Sequence, residues 1–119
     1  MHQYRELKLW QKSIEVVSEL YRITKMFPTS EKFNLITQIN RAAVSIPSNI
    51  AEGAGRNSDK EFLHFLAIAH GSMYEVETQL IISNNLGYLS GSELNRMLEM
   101  LAELQKISYV FQQKLKSKY

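Results

Sequence analysis

The sequence predicts an all-α protein, an antiparallel up-down-up-down four-helix bundle that forms a single domain over residues 1–119. Apolar residues recur at helical spacing through four long segments, which is the pattern of amphipathic helices. All of the glycines except Gly71 fall at the predicted ends of these segments or between them. The connections are therefore short, and short connections require neighbouring helices to run antiparallel.

Helix one is predicted from Glu6 to Met26, and Phe27-Pro28 ends it because the residue before a proline avoids the helical region. It carries two neighbouring apolar stripes, which together are wider than one bundle core requires. The first stripe comprises Leu7, Trp10, Ile14, Val17 and Tyr21, and the second comprises Leu9, Val16, Leu20 and Ile23. The extra width indicates that part of helix one contacts another copy of the chain.

Helix two is predicted to begin after a cap at Thr29 or Ser30 and to end near Gly53. A hydroxyl side chain can accept a hydrogen bond from the free amides of a helix start. Glu31 would then lie in the first turn, where its charge favours the positive end of the helix dipole.

The centre of helix two, residues 38–53, is the most distinctive stretch of the chain, because small residues surround a proline. Pro47 lacks an amide hydrogen and cannot bond the carbonyl of Ala43, so we expect a bend there. The side chains available to bond the groups that the proline leaves free are Ser45, Ser48 and Asn49.

Helix three is predicted from a capping box at Ser58 and Glu61 to about Leu86. Gly71 lies inside this helix, where glycine costs roughly 1 kcal/mol relative to alanine. We therefore expect a neighbouring helix to approach closely at Gly71, on the same face as Glu75.

Helix four is predicted to begin at a second capping box, formed by Ser90 and Glu93. Gly87 would supply the left-handed residue that ends the preceding helix. Helix four then frays into a lysine-rich end.

The composition indicates one folded domain without a membrane partner. Hydrophobic residues make up 45% and charged residues 22% of the chain, as in an average globular domain. The first residues lack a signal-peptide core, and no apolar run approaches the roughly 20 residues that span a bilayer. We therefore expect a cytoplasmic protein. The absence of cysteine excludes disulfides and thiolate metal sites.

Two groups of residues are candidates for chemistry, and each lacks essential partners. Glu61 and His64 match one Glu-x-x-His pair, but a di-iron site in a bundle needs two such pairs and two further glutamates. His70 with Tyr74 and Glu77 could support acid–base work, but no nucleophile accompanies them, and a structural hydrogen bond is the favoured interpretation. We expect no catalytic residues, no metal and no cofactor.

The basic residues form two groups. Lys114, Lys116 and Lys118 make a C-terminal tail, which is either a solvated helix end or a nucleic-acid contact. The net charge of +2 is only a weak basic bias.

The second basic group is on helix two, where Arg41 and Arg56 share a face with Ser45, Ser48 and Glu52. This face could contact phosphate, or Arg41 and Glu52 could pair across subunits. The subunit interface is favoured, because a glutamate within the face opposes nucleic acid.

Residues 38–53 also carry a family resemblance, most specifically in the block Ser45-Ile46-Pro47-Ser48-Asn49-Ile50-Ala51-Glu52-Gly53. The other residues that carry it are Tyr4, Leu7, Trp10, Gln11, Lys12, Phe27, Pro28, Glu31, Gln38, Ile39, Arg41, Ala42, Ala43, Arg56, Ala69, Gly71, Ser72, Glu75, Glu77, Gln79 and Leu80. Over nearly its whole length the chain resembles the 23S rRNA-intervening sequence proteins, also called four-helix-bundle proteins.

The resemblance implies a four-helix bundle that assembles into a ring-like homopentamer. It also implies a relationship to the accessory proteins of diversity-generating retroelements, which use a basic pentamer to bind nucleic acid and a reverse transcriptase. The motif residues expected at the interface are Arg41, Ser45, Pro47, Ser48, Asn49, Glu52, Gly53, Arg56, Gly71 and Glu75.

We therefore expect a non-enzymatic, oligomeric binding or scaffold protein that associates with RNA or with a nucleic-acid–protein complex. The possible nucleic-acid contacts are Lys114, Lys116 and Lys118. The alternative is a homo-oligomeric scaffold that binds only proteins. A continuous basic belt on the assembled ring would favour nucleic acid, whereas alternating charge would favour protein partners.

Overall fold

The computed structural model describes residues 2–117 and contains four α-helices. Helix α1 spans Lys8–Thr24, α2 spans Leu35–Ala54, α3 spans Asp59–Asn85 and α4 spans Gly91–Lys116. Short 3-10 helices at Tyr4–Glu6 and Thr29–Glu31 precede α1 and α2. Residues 2–117 contain no strand, so the all-α prediction is confirmed.

Each helix runs antiparallel to its two neighbours. Helices α1 and α3 each pack between α2 and α4. In every neighbouring pair, the contacting residue numbers rise along one helix and fall along the other. For α1 and α2 the contacts are His2, just before α1, with Ala54, and Thr24 with Asn40. For α2 and α3 they are Ser45 with Ser72 and Gly53 with Phe62, and for α3 and α4 they are Phe62 with Phe111 and Glu77 with Gln105. For α1 and α4 they are Lys12 with Glu103 and Arg22 with Glu93. This is the predicted up-down-up-down order.

The predicted capping boxes start α3 and α4. The Oγ atoms of Ser58 and Ser90 accept hydrogen bonds from the amides of Glu61 and Glu93, each at 3.2 Å. Each bond satisfies one of the free amides of a helix start. Gly87, with a φ of 82°, lies in the left-handed region where glycine avoids strain, also as predicted.

The predicted start of α2 is wrong, because Thr29 and Ser30 do not cap it. They belong to the separate 3-10 helix, and α2 begins at Leu35 after Asn34, whose side chain makes no cap bond. The connection is held by tertiary contacts instead. Phe27 is buried and its ring packs against Tyr88, with 5.9 Å between centroids.

The second apolar stripe of α1 forms its contribution to the core, with Leu9, Val16, Leu20 and Ile23 all buried. In the first stripe, Leu7, Trp10 and Val17 are partly buried against the core, whereas the other two residues stay at the surface. Ile14 is 39% exposed and Tyr21 is 43% exposed. The surplus apolar width predicted for helix one is therefore a surface feature of the folded chain.

Helices α2 and α3 pack more closely than any other pair. The reason is the run of small residues on α2, of which Ala42, Ala43 and Ala54 are buried. At Gly53, a Cβ atom would lie only 2.7 Å from the Cβ of Phe65. Glycine has no side chain and alanine has only a methyl group, so the backbones of α2 and α3 can approach each other closely.

Within residues 2–117, no helix combines the length and apolar character that crossing a bilayer requires.

Candidate nucleic-acid interface

The lysines of α4 form one side of a cleft between α1 and α4. Lys106 and Lys114 line it together with Lys8 at the start of α1, and its volume is about 510 Å³. The apolar side chains that line it are Leu7, Leu9, Ile107, Val110 and Phe111. Glu103 also lines the cleft, but its carboxylate lies 3.8 Å from Lys12 Nζ. The cleft therefore has an apolar floor and a mainly positive rim.

Lys116 lies in a second depression, which it shares with Ser58, Lys60 and Leu63 from the start of α3. Lys114 and Lys116 thus each meet a lysine from another helix. We call Lys8, Lys60, Lys106, Lys114 and Lys116 the lysine cluster; all five are exposed or line these two depressions. Lys118 lies outside the described residues.

The charged groups where α1 ends and α4 begins are arranged differently, because there the arginines are paired. Arg96 Nη2 donates hydrogen bonds of 2.9 Å to both Glu19 and Glu93, and Arg22 also bonds both carboxylates. The bond from Arg22 and then the bond from Arg96 lower the pKa of Glu19, and the bond from Arg96 is the main cause of the lowered pKa of Glu93. Two arginines therefore balance two glutamates, and the network has no net charge.

The centre of α2 forms polar contacts with α3 rather than a solvent-facing site. Ser45 Oγ lies 2.9 Å from Ser72 Oγ across the α2–α3 seam. Asn49 Nδ2 donates to the carbonyl oxygen of Ser45 at 2.8 Å and to its Oγ at 2.9 Å. Helix α2 continues through Pro47, which is buried, while Ser48 is exposed.

Arg41 lies within α2, whereas Arg56 lies beyond its last residue, Ala54, and both are exposed. Arg56 follows the end of α2, where its Nη2 donates to Glu52 Oε1 at 2.8 Å and its guanidinium lies 4.7 Å from the Phe65 ring centroid. Fifteen positions separate it from Arg41, about 22 Å along a helix. Glu52 therefore has a partner within its own chain, and Arg41 instead lines a depression with Tyr21 and other residues.

Within one chain, Gly71 differs from the prediction that a neighbouring helix approaches it closely. A Cβ at Gly71 would meet no atom within 4 Å, so no helix of the same chain approaches it. Its neighbour on the same face, Glu75, is exposed. The glycine that permits close helix packing is Gly53, because its helix face meets α3 whereas the face of Gly71 points to solvent.

His70 makes the structural contact that was favoured over catalysis. Its Nδ1 lies 2.9 Å from Ser108 Oγ on α4, and burial lowers its pKa. Glu77 accepts a hydrogen bond from Gln105 Nε2 at 3.1 Å. His64 is exposed beside Phe65, and no three His, Asp or Glu side chains of residues 2–117 come together as a metal site.

The sequence profile of the 23S rRNA-intervening sequence proteins matches residues 5–109. The chain belongs to this family. The matched range includes the motif of α2 but ends before Lys114 and Lys116. No curated protein matches the sequence.

This chain is similar to a crystal structure from Bacteroides thetaiotaomicron, of a protein with unknown function from the S23 ribosomal protein family. The TM-score is 0.82 with 24% sequence identity, over 88% of this chain and 95% of that chain. At this identity the similarity shows the fold alone.

Proposed function

We propose that this protein is a non-enzymatic, homo-oligomeric scaffold of the cytoplasm that binds RNA through the lysine cluster. The observation that carries the proposal is that lysines from α1, α3 and α4 come together around the two depressions that flank α4. Contacts between lysines and phosphates supply much of the affinity of proteins for nucleic acids. A monomer charge of +2 is small, but an oligomer repeats the cluster once per subunit.

Exposed apolar side chains on α1 and α2 support assembly. Ile14 and Tyr21 on α1 are about two-fifths exposed, as is Val44 on α2 at 40%. Tyr21 and Val44 line the same depression between these helices. Apolar surface of this kind marks a protein contact, and the family resemblance favours a homopentamer.

The test is a titration of labelled, structured RNA at about 50 and 200 mM salt. Wild type should bind at the lower salt and weaken steeply at the higher. The triple variant Lys8→Gln, Lys114→Gln and Lys116→Gln should bind at least roughly tenfold more weakly at 50 mM. A control variant at two exposed lysines in the connection between α1 and α2, Lys25→Gln and Lys32→Gln, should bind like wild type.

The second candidate function is a scaffold that binds only proteins. The apolar floor of the α1–α4 cleft favours it, because Leu7, Ile107 and Val110 would be buried by the apolar side of a partner. If the intact oligomer does not bind RNA at the lower salt, RNA binding is contradicted and the scaffold that binds only proteins remains. Equal weakening by both lysine variants would contradict the assignment of the cluster.

A further inference from the structure

Two acid-free stretches of the chain lie side by side. Residues 62–74 on α3 and residues 104–119 at the C-terminal end contain no aspartate or glutamate. Helices α3 and α4 pack together there, with Phe62 against Phe111 at 5.5 Å between ring centroids and His70 bonded to Ser108. Along the α3–α4 seam neither stretch contributes an acidic side chain, and the second contributes the lysines of α4.

The carboxylates that border the two stretches are held by hydrogen bonds or directed elsewhere. Glu61 accepts a hydrogen bond from Ser58 Oγ, and Glu77 accepts one from Gln105. Glu103 lies near Lys12 of α1. Glu75 is exposed, but it follows Tyr74 by one position and so points about 100° away around the helix.

Two exposed tyrosines lie on either side of this seam. Tyr109 follows Gln105 by one helical turn, and Gln105 bonds Glu77 of α3, so Tyr109 is on the α3 side of α4. Tyr109 is 60% exposed and Tyr74 is 51% exposed. The ring of Tyr74 packs against His70 with 5.2 Å between centroids, and His70 is bonded to Ser108, the residue before Tyr109. The bond between His70 and Ser108 thus ties together the parts of α3 and α4 that carry the two rings.

We propose that the α3–α4 face binds single-stranded nucleic acid. The face comprises Lys60, Tyr74, Tyr109 and Lys116. Exposed aromatic rings beside lysines are the combination that holds single strands, because bases stack on the rings while the lysines contact phosphates. In a duplex the base faces are already stacked and cannot cover a protein ring. This inference rests on the proposed RNA binding and specifies the form of RNA that is bound.

The experiment measures fluorescence anisotropy of three labelled probes of equal length: an unstructured oligouridylate, its DNA counterpart and a duplex RNA. Single-stranded RNA should bind more tightly than the duplex. The double variant Tyr74→Ala and Tyr109→Ala should lose roughly tenfold or more in affinity for the single strand and little for the duplex. The matched variant Tyr74→Phe and Tyr109→Phe keeps both rings and should bind like wild type.

Single-strand binding that the alanine variant leaves unchanged would overturn the inference. If Lys60→Gln with Lys116→Gln still weakened that binding, the proposed RNA function would stand without base stacking. Equal losses on single-stranded and duplex probes would also overturn stacking. Loss in both the alanine and the phenylalanine variants would assign the effect to the hydroxyls and not to the rings. Equal binding of RNA and DNA single strands supports the inference, since stacking does not require the 2′-hydroxyl.

Discussion

Replacing Gly53 with alanine should destabilise the bundle, although alanine is the better helix former. A Cβ at this position would lie 2.7 Å from the Cβ of Phe65 and 2.8 Å from Cδ1 of Phe62. The first of these atoms is fixed to the backbone of α3. The second belongs to a ring that is 1% exposed and packs against Phe111. Neither can rotate away, so α2 and α3 would have to separate.

The magnitude follows from two opposing effects. Overpacking of a well-packed core costs about 1–3 kcal/mol, and the change from glycine to alanine in a helix returns about 1 kcal/mol at most. Because neither contacting atom can move, we expect the upper part of the overpacking range, about 2–3 kcal/mol. Gly53→Ala should then lower the free energy of unfolding by about 1–2 kcal/mol, which corresponds to a melting temperature lower by roughly 3–8 °C.

Gly71→Ala is the matched control, because it makes the same chemical change where a Cβ meets open space. It should raise the free energy of unfolding by about 0.5–1 kcal/mol. Both variants are measured by urea denaturation at one protein concentration, followed by circular dichroism. A Gly53→Ala variant as stable as wild type would refute the packing described for α2 and α3. A destabilised Gly71→Ala variant would show that another copy packs against α3 there.

Three other predictions concern pH, assembly and the α2–α3 seam. Because burial lowers the pKa of His70 from 6.5, the unfolded chain takes up the proton more readily; stability should be full above pH 6.5 and fall as the pH drops below it. His70→Gln should flatten this dependence in thermal melts and His64→Gln should not; equal slopes would contradict it. Ile14→Glu should reduce the mass measured by light scattering toward 13.8 kDa without unfolding the chain, and a wild type already at that mass would refute assembly. Asn49→Ala should lower the free energy of unfolding by about 1 kcal/mol in urea melts, since it removes two hydrogen bonds to Ser45; no change would mean that water replaces them.

Much of the fold could be predicted because its signals are local. Helical periodicity gave four helices, and the spacing of Ser58 to Glu61 marked a helix start that the structure confirms. The start of α2 could not be predicted in this way. Thr29 has the chemistry of a cap, but the packing of Phe27 against Tyr88 holds the connection, and that contact joins distant parts of the chain.

The candidate site was predicted less completely, because its lysines are far apart in the sequence. Lys114 was predicted because it belongs to the lysine-rich C-terminal segment, whereas Lys8 and Lys60 were not predicted. The predicted antiparallel order of the helices would have placed all three lysines near one end of the bundle. The pairing of Glu52 with Arg56 also had a sequence signal, since residues four apart are neighbours on a helix. No sequence signal shows which glycine lies against α3, because that depends on how the helices are rotated about their axes.

The most direct test of RNA binding is the slope of log affinity against log salt concentration, which counts the phosphates contacted. Each phosphate contact with a single strand contributes about 0.7 to this slope. The double variant Lys60→Gln and Lys116→Gln should therefore reduce the slope by about 1.4 relative to wild type, while Lys25→Gln with Lys32→Gln should leave it unchanged. An equal slope for all three proteins, or a reduction in the second variant alone, would contradict phosphate binding by the lysine cluster.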